Sequence, residues 1–92
     1  MTRSLLPNRR PSLAFNFECE DQRYRATVSF FDAGCLAEIF LDTDKPNTPL
    51  QSNAENCAIL ASLLLQHGVA VDTILHSIHG PIAKALEIAS TP

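Results

Sequence analysis

Hydrophobic and polar positions alternate through the first half of the chain. Leu13, Phe15 and Phe17 face one way and Ala14, Asn16 and Glu18 the other, the period of a half-buried strand. After a polar turn over residues 19–22, Tyr24, Ala26, Val28 and Phe30 alternate with Arg25, Thr27 and Ser29 in a second strand over residues 23–31. Asp32-Ala33-Gly34 suits a three-residue hairpin loop with the glycine in the left-handed conformation beside a bulge. Residues 35–41 return as a third strand. Its inward face is Cys35, Ala37, Ile39 and Leu41; Leu36, Glu38 and Phe40 lie opposite, joined by Phe31 from the neighbouring strand.

From residue 52 the period becomes helical. Ser52 and Glu55 have the spacing of a capping box, which predicts a helix over residues 52–68 closed by Gly68 as its left-handed C′ residue. Between the ends runs Cys57 to Leu65, apolar on nearly every face, with Gln66 and His67 in the last turn. A helix apolar all round is normally buried. This run of nine residues is far short of the roughly 20 that span a bilayer. Burial is therefore expected within protein, under the rest of the chain or with help from a second copy, and no membrane is implied. Pro46 and Pro49, among Asp42, Thr43, Asp44 and Asn47, read as a loop over residues 42–51. Asp72 is expected to cap a second helix with a buried stripe of Ile74, Leu75 and Ile78. Gly80 ends it, and Pro81 opens a third helix carrying Ile82, Ala85, Leu86 and Ala89. The order β-β-β-α-α-α predicts an α+β fold, a three-stranded antiparallel meander followed by two to three helices packed on one face. Residues 1–12 have no period and read as an extended arm; residues 13–90 form a single domain.

Composition narrows the function more than the fold. With 46% hydrophobic and 18% charged residues, the 92-residue chain is of ordinary globular type. A domain near this size buries only about 60–65% of its unfolded surface, so its own core is marginal. The net charge is −3, yet Arg3, Arg9, Arg10, Arg23 and Arg25 place five of the seven basic residues in the first 25 positions. That balance disfavours a general nucleic-acid partner and leaves room for a local anion site. Cys19, Cys35 and Cys57 are odd in number and form no CxxC pair, the usage of reduced thiols in a cytoplasmic protein; the first residues show no apolar signal-peptide core. The second apolar face of so small a sheet, Phe31, Leu36 and Phe40, predicts a homo-oligomer, a dimer or larger, with those residues at the interface. The alternative cover is the N-terminal arm or the last helix.

Several segments together carry a resemblance. They are Asn8-Arg9-Arg10-Pro11-Ser12, Phe15-x-Phe17-Glu18, Tyr24-Arg25-Ala26-Thr27-Val28, Asp32-x-Gly34, Ala37-Glu38-Ile39-Phe40-Leu41, Lys45, and the run from Ala61 to Val69. The chain resembles the TSCPD domain over about residues 8 to 88. That module lies near the C-terminus of adenosylcobalamin-dependent (class II) ribonucleotide reductases and also occurs as free-standing, ribonucleotide-reductase-like proteins of bacteria and phages. Gly80-Pro81-Ile82 resembles the ending of the free-standing group. The chain departs from the pattern at Pro46-Asn47-Thr48, between the last two helices, where it is shorter, and in lacking the tetrad that names the domain. The resemblance does not imply ribonucleotide reduction, which needs a radical cysteine, a redox-active cysteine pair and a large barrel.

Candidate chemistry is sparse. His76 and His79, three apart, would share a helix face, but a metal site needs three or four ligands and His67 is the only other histidine. Asp32, Asp42 and Asp44 read as solvated loop acids, and Cys35 and Cys57 as core thiols. No triad, phosphate-cradling glycine loop or dinucleotide fingerprint is present, so no catalytic residue, metal or cofactor is expected and the chain reads as a non-enzyme. Arg9, Arg10, Arg25 and Lys45 are the basic residues of the resembling segments, and guanidinium forks suit phosphate. The leading expectation is a non-catalytic module binding a nucleotide or other phosphorylated ligand at or near a subunit interface, sequestering a nucleotide signal in a phage setting. Solvated or intramolecular pairing, such as Arg25 with Glu38 across strands, would account for the same residues. The alternative function is a protein-protein interaction module, accessory to ribonucleotide reductase or another partner, using Phe31, Leu36 and Phe40.

Overall fold

A computed structural model of the chain describes residues 12–31 and 34–90. Strands β1 (Ser12–Cys19), β2 (Gln22–Phe30) and β3 (Leu36–Thr43) form an antiparallel sheet in the order β1-β2-β3. Helices α1 (Pro49–Gln66), α2 (Val71–Ser77) and α3 (Pro81–Ser90) follow, the α+β arrangement that the alternation predicts. The arm, with Arg9 and Arg10, and the hairpin residues Asp32 and Ala33 lie outside the described residues.

The β1–β2 connection is a two-residue turn in which Glu20 and Asp21 both take positive φ, 53° and 64°. That is the turn geometry whose twist matches a hairpin. It sets Phe17 opposite Tyr24, their rings stacked at 5.5 Å, and Phe15 opposite Ala26. Between β2 and β3, Val28 faces Ile39 and Ala26 faces Leu41, which fills the helix side of the sheet. A bulge between Ser29 and Phe30 then shifts the register so that Phe30 faces Leu36. This overturns two expectations. Leu36, placed outside by strict alternation, is buried in the core, and Cys35, placed inside, is exposed. One inserted residue reverses which side of a strand faces the core.

Helix α1 begins earlier than its capping-box signal. Thr48 is the N-cap, its Oγ1 accepting the Gln51 N–H at 3.3 Å, and Pro49 occupies the first helical position. Ser52 therefore lies inside the helix, and Pro49, expected to exclude helix, opens it, since the first turn has no use for its missing N–H. The far end matches expectation. Gly68, at φ +88°, donates to the Leu65 carbonyl at 3.1 Å and Val69 donates to Leu64 at 3.0 Å, a Schellman closure. Helix α2 is capped at Ala70 without a side-chain bond, and Asp72 sits in its first turn rather than at the cap. There its carboxylate favours the positive end of the helix dipole. Ile74 is buried while Leu75 and Ile78 are half-buried. Helix α3 packs Ile82, Ala85 and Leu86 into the core with Val28, Ile39 and Leu41.

Helix α1 meets the sheet at its open edge. Among the described residues β3 has no strand neighbour on its outer side, and α1 supplies polar side chains there. Ser62 bonds the Ile39 backbone, Gln66 Nε2 donates to the Ala37 carbonyl at 3.2 Å, and Gln51 Oε1 accepts the Thr43 N–H at 2.8 Å. Covering an edge in this way satisfies backbone groups that would otherwise invite another strand.

Candidate functional site

The side of α1 turned to its own sheet is made of small and polar residues: Ala54, Ala58, Ala61, Ser62 and Gln66, with Leu65 the single large aliphatic. The large aliphatics face outward. Ile59 is 55% exposed, Leu60 62%, Leu63 36% and Leu64 44%. At their helical spacing Ile59 with Leu63, and Leu60 with Leu64, form two adjacent ridges. The expectation of a helix buried on every face is thus overturned within one chain, because alanine and serine are what the close approach to β3 admits. Phe40 on the sheet is 50% exposed and shares a cavity of about 440 Å³ with Ile59, Ala58 and Thr27, so the sheet's apolar surface runs onto the helix. Five large side chains left between one third and two thirds in water form a patch of several hundred Å², comparable with the largest patch on a typical monomer (about 300–600 Å²).

The interface residues expected from sequence are dispersed. Phe40 belongs to this patch. Leu36 is core, and Phe31 is half-buried with it in a cavity of about 550 Å³ reaching Leu65 and Ala89. The anion candidates are dispersed too. Arg25 is exposed on β2, its cross-strand neighbours Asn16 and Asp42; Glu38 instead stands opposite Ser29, so the expected Arg25–Glu38 pair is not in register. The cavity of about 600 Å³ beside Arg25 is lined by Arg23 and by the carboxylates of Glu18, Asp42 and Asp44. Among the described residues three acids stand against two guanidinium groups there, a balance that does not favour an anion. The Glu18–Arg23 pair, at 3.7 Å, is largely in water and contributes little. Lys45 is exposed in the β3–α1 loop, its backbone N–H donating to Thr43 Oγ1 at 3.1 Å.

Gln51 is a structural residue that sequence reasoning missed. Its Oε1 accepts from both the N–H and the hydroxyl of Thr43, while its Nε2 donates to Asp42 at 3.2 Å and Glu55 at 2.7 Å. Asp44 in turn accepts from Gln22 at 2.8 Å. Asp42 and Asp44 thus tie the loop to the sheet and helix. A glutamine one turn inside a helix that follows a threonine cap is the only signal the sequence offers for this.

Helix α2 ends at Ser77, so His76 and His79 do not share a helix face. Among the described residues no group of three or more His, Cys, Asp and Glu side chains is placed to hold a metal ion. Cys57 is exposed on the outer turn of α1, which corrects its assignment to the core. Burial raises the Tyr24 hydroxyl above its usual pKa, and the neighbouring Cys19 and Glu20 add to the shift. No described helix is long and apolar enough to cross a membrane.

Comparison with known proteins adds no relative: no family model, curated protein or solved structure matches the chain.

Proposed function

We propose that this chain is a non-catalytic interaction module that pairs with a second copy of itself through the outer face of α1. One observation carries the reading: α1 turns its small and polar residues to its own sheet and its large aliphatics to solvent. In a chain that remained alone, this leaves the outer side of its most apolar segment in water, where each Å² of apolar surface buried is worth about 25 cal/mol. A second copy fits the surface. From Asn56 to Gln66 the helix has no charged residue, so two such faces meet without repulsion. The Ile59–Leu63 and Leu60–Leu64 ridges allow one helix to pack on its twin across a two-fold axis. Two patches of several hundred Å², with their polar rims, bury about 1,000 Å² in total, the threshold of a specific interface.

Light scattering coupled to size exclusion tests the proposal on the whole chain. A species of twice the 10.1 kDa chain mass is expected, with Leu63→Glu reducing it to the single chain while circular dichroism stays unchanged. A Leu63→Glu variant that keeps the mass of the parent would overturn the assignment of the face.

A further inference from the structure

On the other flank of α1, away from Phe40, lies a cavity of about 780 Å³ between α1, α2, the start of α3 and the β1–β2 turn. We propose that it is a binding site for an uncharged, largely apolar small molecule carrying one hydrogen-bond acceptor, which Tyr24 would engage. Three features of the site support this.

The first is size and shape. Small-molecule pockets run about 300–1,000 Å³ and are mostly apolar, with a few polar groups that orient the ligand. The space exists because α1 presents Ala54 and Ala61 to it, while Ile74 and Ile82 form facing walls. A leucine at either alanine would fill part of it.

The second is an unanswered hydroxyl. Tyr24 lines the cavity and is only 6% exposed, yet its hydroxyl has no hydrogen-bond partner among the described residues. A hydroxyl without a partner of its own can take one from a ligand entering the cavity, a hydrogen bond worth about 0.5–1.5 kcal/mol. A phenol is protonated at neutral pH and offers its O–H as a donor, so a matching ligand group is an acceptor such as a carbonyl.

The third is charge. Among the described residues no lysine or arginine lines the cavity, and Glu20 contributes the only carboxylate. Among the described residues an anionic head group would meet the Glu20 carboxylate and no lysine or arginine, with His79 at the rim, which separates this site from the phosphorylated ligand expected of Arg9, Arg10, Arg25 and Lys45.

The inference does not rest on assembly, although Leu60 and Leu64 of the outer α1 face form part of the cavity wall. The test is a fluorescence titration of the whole chain with Prodan, a neutral naphthalene dye whose carbonyl reports hydrogen bonding through its emission colour. Saturable binding of one dye per chain is expected. Cys57→Phe and Ser77→Trp, at exposed positions on opposite walls, should each weaken it tenfold or more by filling the space. Tyr24→Phe should weaken it about fivefold and shift the bound emission to the blue, as loss of one hydrogen bond requires. The anionic dye 8-anilinonaphthalene-1-sulfonate should bind less tightly than Prodan. Leu63→Glu, outside the cavity, should leave Prodan binding intact whether or not it changes the assembly state. The proposal is overturned if both filling variants bind Prodan as the parent does, if the sulfonate binds more tightly, or if Leu63→Glu alone abolishes binding.

Discussion

Ser62 Oγ accepts the Ile39 N–H at 2.9 Å and donates to the Ile39 carbonyl at 3.0 Å. One hydroxyl on α1 thereby closes both backbone groups of a residue on the open edge of β3. The contact also fixes the rotation of the helix: with Ser62 and Gln66 at the strand edge, Ile59, Leu60, Leu63 and Leu64 must point away from the sheet.

Ser62→Ala keeps the close approach and strips both partners from Ile39. Orphaned buried backbone groups cost about 1–3 kcal/mol, so urea denaturation should show a loss in that range. A loss below a few tenths of a kcal/mol would mean the helix is not held by this bond.

The start of α1 separates two caps by mutation. Thr48→Ala removes the side chain that accepts the Gln51 N–H and should cost about 1 kcal/mol. Ser52→Ala, inside the helix at an exposed position, should change stability by less than half of that. The reverse ranking would restore the capping box at Ser52 and Glu55.

Tyr24 gives a pH signature. Its pKa in the folded chain is raised above 10.0 by burial and by Cys19 and Glu20. Below the unfolded value both states hold the proton and this group adds no pH dependence. As pH rises from about 10 towards the folded value, the unfolded chain releases its proton first and stability falls. Denaturation of the parent and of Tyr24→Phe should therefore run parallel at neutral pH and diverge above about pH 10, with the parent losing more. Parallel curves throughout would place the hydroxyl in water.

The alternation of apolar residues in β2 and β3 carried enough information for the sheet, since Val28, Ile39 and Leu41 could satisfy period two only by sharing a face. The loop at Gly34 signalled a bulge, but strict alternation carried no register shift into β3, and with the shift at Ser29 and Phe30, Leu36 and Cys35 changed sides. Helix α1 was readable as a helix with its Gly68 end. Its orientation was not: an apolar run says that burial is wanted, and Ala54, Ala58 and Ala61 look equally suited to either side. The spacing of Ser62 and Gln66, one turn apart within that run, was the available sign of a sheet edge. The cavity at Tyr24 was hidden for a different reason, since it arises where three helices and a turn meet and no segment carries it alone. Arg9, Arg10, Arg25 and Lys45 read as one anion-binding set in the sequence, but the register puts Asp42 opposite Arg25, and Glu18 and Asp44 line the same cavity.

Sedimentation equilibrium of the unmodified chain over a wide concentration range tests the outward face of α1 most directly. A single monomer–dimer equilibrium is expected, with the dimer predominant at micromolar concentration and Leu60→Asp shifting it to monomer. A chain that sediments at 10.1 kDa across the whole range would contradict the assembly, and would mean that the exposed aliphatics of α1 do not pair two copies.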